Sequence, residues 1–252
     1  MGARQKRSTI SALELLTLTI QTAWEASPGF VVSMLGLDIK GAFDNISTER
    51  LKWVLRREGK LRSGLRDTPA TRLKLKLESQ KGLISHRYLF LFYISELIKS
   101  LQRSEQGQMA FGFFDDIKIV TLSNTASKNC RSHEQANEKC LAWAIRYGAT
   151  FTPEKYKLIH FTRNRGISSD SNEGIKIEGV RISPKTEIKI LGIVVDKRLR
   201  WGAQVEQAAQ KGEAAFNAMC RFTSSVWGPS LRLSRLIYSA VVRPTMLYGS
   251  QI

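Results

Sequence analysis

The sequence predicts an α+β fold: an antiparallel sheet with helices on one face, followed by a helical C-terminal region. Three observations predict it. FVVSMLGLD (30–38) is a near-continuous apolar run ending in an acid, as in a strand buried on both faces. MAFGFFDDIKIVTL (109–122) reads as strand, tight acidic turn, strand. From Trp201 onward the apolar spacing becomes helical.

The elements follow in order. SALELLTLTIQTAWEA (11–26) places Leu13, Leu16, Ile20 and Trp24 on one helical face, with Ser11 and Glu14 as a capping box. SPG (27–29) ends that helix, and the buried strand follows. STERLKWVLRREG (47–59) is helical, with Ser47 as cap and Gly59 as stop. Residues 60–87 are rich in Lys and Arg and show no clear period. YLFLFYISELIKSL (88–101) reads as a buried helix, and HEQANEKCLAWAIRYG (133–148) as a helix stopped by Gly148. KYKLIHFT (155–162) is a strand, IKIEGVRIS (175–183) a hairpin about Glu178-Gly179, and EIKILGIVVD (187–196) another strand. The C-terminal helices are broken by WGPS (227–230) and Pro244.

Composition narrows the function classes. The 252 residues carry 39 Lys plus Arg against 22 Asp plus Glu, a net charge of +17. Such a surface favours a polyanionic partner, because phosphate contacts release counterions. The 3 cysteines are widely spaced and form no disulfide framework, which suits a reducing compartment. Cys130, His133 and Cys140 match no usual zinc spacing. No segment has the apolar length of a membrane span, and Glu14 interrupts the only signal-peptide-like run. Lys6 stands where N-myristoylation after Gly2 requires Ser or Thr.

The acids carry the chemistry. Alone, Asp38 is a strand-ending acid, and Asp115-Asp116 is a solvated hairpin tip. Together they change meaning if the two strands are neighbours. Three gathered carboxylates repel one another unless divalent cations bind them. Two Mg²⁺ (or Mn²⁺) ions about 3.5–4 Å apart would activate an attacking oxygen and stabilise a leaving phosphate. In a strongly basic protein, this points to nucleotidyl transfer on a nucleic-acid template.

These motifs resemble those of reverse transcriptases. LDIKGAFDNI (37–46) resembles the first palm motif, and FGFFDDIKIV (111–120) the acidic hairpin. TPEKYKLIHFTR (152–163) is similar to the lysine-bearing strand motif that follows. ILGIVVDKRLRW (190–201) is similar to the Leu-Gly hairpin that grips the primer, and GARQKRSTISAL (2–13) to the segment before the palm. The resemblance is nearest to non-LTR (LINE-like) retrotransposons of the kind found in fungi. It implies a palm over 30–200, a helical thumb-like segment over 201–252, and a remnant of fingers and pre-palm helix over 1–29. It implies Asp38 and Asp115 as main metal ligands, Asp116 as accessory acid, and the Ile39 carbonyl as a further ligand. Phe43 would sit under the sugar and exclude a ribose 2′-hydroxyl; by itself it reads as a core aromatic. Lys155 would approach the pyrophosphate as a proton donor; by itself it is a solvated lysine at a strand end. Lys40 and Gly82 would contact the nucleotide, Arg4 and Arg7 the phosphates, and Leu191 with Gly192 the primer. Asp44 reads as ordinary turn chemistry. The implied partners are an RNA template, a DNA primer and dNTPs, without a membrane, and the implied site of action is the nucleus.

The chain also departs from the family. KGLISHRYLFLFYISEL (81–97) keeps Gly82, Leu83 and the helix, but lacks the Pro-Gln-Gly-Ser-Pro core that contacts the incoming nucleotide. KLRSGLRDTPATRLKLK (60–76) replaces an expected amphipathic helix, through decay or a misplaced intron boundary. LYGSQI (247–252) ends inside a family stretch, which implies a longer parent. Two metals alone do not position a template and a nucleotide. The departures therefore predict reduced turnover, with a nucleic-acid-binding remnant as the alternative. A nucleotide cyclase fits worse, because GFFDD (112–116) lacks the Gly-Gly-Asp/Glu turn of that class.

Overall fold

The structure is a computed structural model that describes residues 8–40, 84–102, 107–113, 116–163, 172–223 and 228–252. The helix expected at 47–59 lies outside the described residues, as does the aperiodic stretch up to residue 83.

Helix α1 spans Thr9–Ala26. Its cap is Ser8, whose hydroxyl accepts from the Ser11 amide at 3.1 Å. The expected Ser11–Glu14 box is thus corrected: the helix starts three residues earlier, and Ser11 is the amide donor. Strand β1, Val31–Lys40, is buried from Val31 to Leu37, as its continuous apolar run requires. Helix α2 is Ile84–Leu101. Strands β2 (Gln108–Phe113) and β3 (Asp116–Ser123) form the acidic hairpin.

Helix α3, Ala126–Tyr147, begins before the predicted start, because the Thr125 hydroxyl caps it. It ends where expected, with Gly148 in the left-handed region at φ 70°. Strand β4 (Thr150–Phe151), a 3₁₀ turn (Pro153–Lys155) and strand β5 (Lys157–Phe161) follow. The predicted strand 155–162 therefore starts later, because Pro153 opens a tight turn across its first residues. Strands β6 (Ile175–Ile177) and β7 (Val180–Ile182) make the hairpin about Glu178-Gly179.

Residues 187–196 are two strands, β8 (Glu187–Ile190) and β9 (Ile193–Asp196), rather than one. Leu191 and Gly192 turn between them with φ of 49° and 93°. Positive φ at both central positions is the tight hairpin geometry, and Gly192 adopts it freely. Helices α4 (Gly202–Cys220), α5 (Leu231–Ile237) and α6 (Arg243–Met246) make the C-terminal unit. The α-helical run is interrupted ahead of Pro244, which sits in the first turn of α6. A π turn at Tyr238–Val242 leads into α6, with the Arg243 amide donating to the Tyr238 carbonyl.

The main sheet is antiparallel in the order β2-β3-β1, with β4 and β5 both pairing along the far side of β1. One face buries Leu35, Leu37, Ile117 and Ile119 under α2 and α3. There Tyr93 meets Trp143 and Tyr147 edge-on at 5.4 and 5.5 Å, locking the two helices. Polar side chains line the sheet's junction with α3: the Asn129 amide donates to Val31 O and Ser33 Oγ, and Ser33 bonds the His160 ring at 2.7 Å. The other face carries Val32, Met34, Val120, Ile159 and Phe161. Helix α1 and the β8–β9 hairpin cover this lower half, through Leu16, Ile20, Ile188 and Ile193. Among the described residues, no helix is long and apolar enough to cross a membrane.

Candidate active site

Strand alternation decides which side chains share the upper half of that second face. Asp38, Gly36 and Met34 point the same way along β1. In the β1–β3 register, Asp38 lies directly opposite Asp116, and Gly36 opposite Lys118. Across β5, Gly36 faces Lys157. The apolar lower half of the face thus gives way to a charged upper end, just beyond the cover of α1 and the hairpin.

Like charges directly opposite on neighbouring strands repel. Each carboxylate here has its own cation. Lys155 Nζ lies 3.2 Å from Asp38 Oδ2, and Lys118 Nζ 2.7 Å from Asp116 Oδ1. Lys155 is delivered by the break between β4 and β5. The Thr152 amide donates to the Asp38 carbonyl at 3.1 Å, and the 3₁₀ turn then carries the lysine over the strand. Two buried residues anchor that turn, Pro153 and Tyr156. Burial pushes the Tyr156 phenol up from its ordinary value, and its hydroxyl donates to Asn137 Oδ1.

A cleft of about 270 Å³ opens over the pair. Lys157, Lys185 and Lys189 share its wall with Asp38, Asp116 and Lys155. The hairpin supplies Lys189, and the Lys185 amide ties this segment to Leu158 O at 2.8 Å. The cleft therefore joins the half-exposed Asp38 and Asp116, and the exposed Glu154, to a rim of exposed cations.

The structure brings together Asp38, Asp116 and Lys155. It places the Leu191–Gly192 turn at the tip of the hairpin whose Lys189 reaches the cleft. The Ile39 side chain is buried on the opposite face, so only its backbone could serve a ligand. Lys40 is exposed at the end of β1 and is not among the cleft-lining residues. Asp115, Phe43, Gly82, Arg4, Arg7 and Asp44 lie outside the described residues. Sequence reading missed Lys118, Lys157, Lys185, Lys189 and Gly36. The signal was available for Lys118, which interrupts an apolar strand two positions after Asp116.

Among the described residues, no three His, Cys, Asp or Glu side chains gather to hold a metal ion. Cys130, His133 and Cys140 do not converge on one. The His133 Nε2 meets Thr121 Oγ1 at 3.1 Å, and burial raises the Cys140 thiol to about 12. Asp38 and Asp116 do fit a hard divalent ion as part of a donor set. Their carboxylates are 36% and 39% exposed, they share one face, and their oxygens are the ligand type that Mg²⁺ takes.

The family model described as reverse transcriptase (RNA-dependent DNA polymerase) matches residues 1–195. The chain belongs to the reverse transcriptase family. Among its relatives is a probable RNA-directed DNA polymerase from transposon BS of Drosophila melanogaster. That protein is 27% identical over 140 residues, covering 56% of this chain and 15% of its own length. The retrovirus-related Pol polyprotein from type-1 retrotransposable element R1 of Bradysia coprophila is 23% identical over 246 residues, covering 92% of this chain. The chain spans 24% of that polyprotein. Both relatives are proteins of transposable elements. The fold is similar to that of telomerase from Candida albicans, solved in complex with a TWJ fragment of telomeric RNA. The TM-score is 0.50 at 13% identity, covering 75% of this chain and 34% of that one. This reverse transcriptase fold puts its acidic hairpin and its buried central strand side by side.

Proposed function

We propose that the chain is the palm and thumb-like part of an RNA-directed DNA polymerase, which extends a DNA primer with dNTPs on an RNA template. One observation carries the reading: Asp38 and Asp116 stand opposite each other at the open end of the sheet, with Lys155 paired to Asp38. Asp38, Asp115, Asp116 and the Ile39 carbonyl would hold two divalent ions. Mg²⁺ or Mn²⁺ bound there would polarise the phosphoryl group and lower the pKa of the attacking hydroxyl. The protein's own part is positioning and electrostatics. Lys155, on its anchored turn, would hold a proton beside the departing pyrophosphate. Lys157, Lys185 and Lys189 attract the triphosphate and the nucleic-acid backbone. Phe43, Lys40 and Gly82 would shape the nucleotide site, and the Leu191–Gly192 turn would lie against the primer. Such a domain would act in the nucleus.

The test is primer extension on a primed RNA template with dNTPs and Mg²⁺. Incorporation by the native chain should disappear in Asp38→Asn and in Asp115→Asn/Asp116→Asn. A second reading, nucleic-acid binding without turnover, is favoured by the lysine already paired with each described carboxylate and by the missing Pro-Gln-Gly-Ser-Pro segment. Salt-sensitive RNA binding with no incorporation, unaffected by Asp115→Asn, would select it.

A further inference from the structure

We propose that Lys118 is a built-in counter-cation that competes with a divalent ion for Asp116 and so sets the metal affinity of the cleft. The inference rests on the divalent-ion site proposed above.

Lys118 is an unusual residue for its place. It stands in the middle of β3, between Ile117 and Ile119, both fully buried. Its side chain is only 9% exposed, yet it carries a full charge. A buried ammonium is stable only when paired, and the partner here is Asp116 Oδ1 at 2.7 Å. Residues two apart on a strand share a face but stand well separated, so the lysine must fold back to reach Asp116.

Gly36 makes that fold possible. It lies opposite Lys118 in the register, and a Cβ on it would sit 2.9 Å from Lys118 Nζ and 3.5 Å from Cδ. The lysine stem therefore lies across bare backbone of β1. A side chain at this position would crowd the ammonium and force it to shift.

The two ion pairs of the site are unequal. The Lys155 side chain is 64% exposed and can swing into solvent when Asp38 takes another ligand. Lys118 is enclosed, so a metal that takes Asp116 strands a buried charge. The cost of that displacement falls on metal binding, and on Asp116 more than on Asp38.

Mn²⁺ titration of the full chain, followed by water-proton relaxation and by calorimetry, tests this. Lys118→Met keeps the stem and removes the charge, and should tighten Mn²⁺ binding roughly tenfold, the worth of one charge-assisted hydrogen bond. Gly36→Ala should shift affinity in the same direction with Lys118 still present, which guards against a folding defect in the first variant. Asp38→Asn should abolish binding. If Asp38→Asn abolishes binding while Lys118→Met and Gly36→Ala bind no tighter than the native chain, the counter-cation role is overturned and the metal site stands. If neither the native chain nor Lys118→Met binds Mn²⁺, both fail.

Discussion

His133 has no exposed surface, and its Nε2 bonds Thr121 Oγ1. Burial, with the nearby His160 adding to it, lowers its pKa from 6.5 to about 3. The folded state therefore keeps the ring neutral, while the unfolded chain takes up a proton below 6.5. A depressed folded pKa means the stability is fully present above pH 6.5 and is lost as pH falls toward 3. The slope is about 1.4 kcal/mol per pH unit, so near pH 4 the loss reaches about 3 kcal/mol. Urea unfolding at pH 7 and pH 4.5 should show this fall, and His133→Gln should remove about one proton's worth of the slope. An unchanged slope in the variant would mean that carboxylates alone drive acid unfolding.

The β8–β9 hairpin shows what an element owes to its neighbours. Its turn residue Leu191 holds a positive φ that an L side chain rarely adopts. The Tyr248 hydroxyl donates to the Leu191 carbonyl at 2.9 Å, and the ring packs beside Gly192. The C-terminal segment thus pins the tip of the turn that the family resemblance assigns to the primer. Tyr248→Phe removes that bond and, at a half-exposed site, should cost about 0.5–1 kcal/mol. Amide exchange at Gly192 and Ile193 should quicken by roughly two- to fivefold, with the sheet amides unchanged. The turn also explains why this stretch reads as one strand in the sequence. Leu191 is no turn former, and apolar residues run through it from Ile188 to Val195. The buried β1, the acidic hairpin and the Glu178-Gly179 turn were legible because each is signalled by adjacent residues. The start of α3 was not, because ASKNCRS (126–132) lacks an apolar period and only Thr125 marks it. Asp38 and Asp116 could be paired on motif order. Gly36 and Lys118 could not, because their meeting depends on the register between strands far apart in sequence.

On the scale of the whole molecule, a net charge of +17 says only that a polyanion is favoured, not where it lies. The fold concentrates part of that charge. The tie between Lys185 and Leu158 sets the hairpin beside the edge strand, so Lys157, Lys185 and Lys189 meet on one wall of the acidic cleft. All three are exposed, and none is ion-paired among the described residues, so each is available to a phosphate. Lys118 and Lys155 are already committed to Asp116 and Asp38. If a nucleic-acid strand runs along this wall, each of the three contacts adds about 0.7 to the steepness with which log K falls against log salt for a single strand. Lys157→Gln/Lys185→Gln/Lys189→Gln should then lower the slope for single-stranded RNA by about 2, and weaken binding evenly across sequences. Filter binding or fluorescence anisotropy at several salt concentrations would read it. A slope that stays the same would move the strand to another part of the basic surface, and with it the claim that this cleft faces the template and primer.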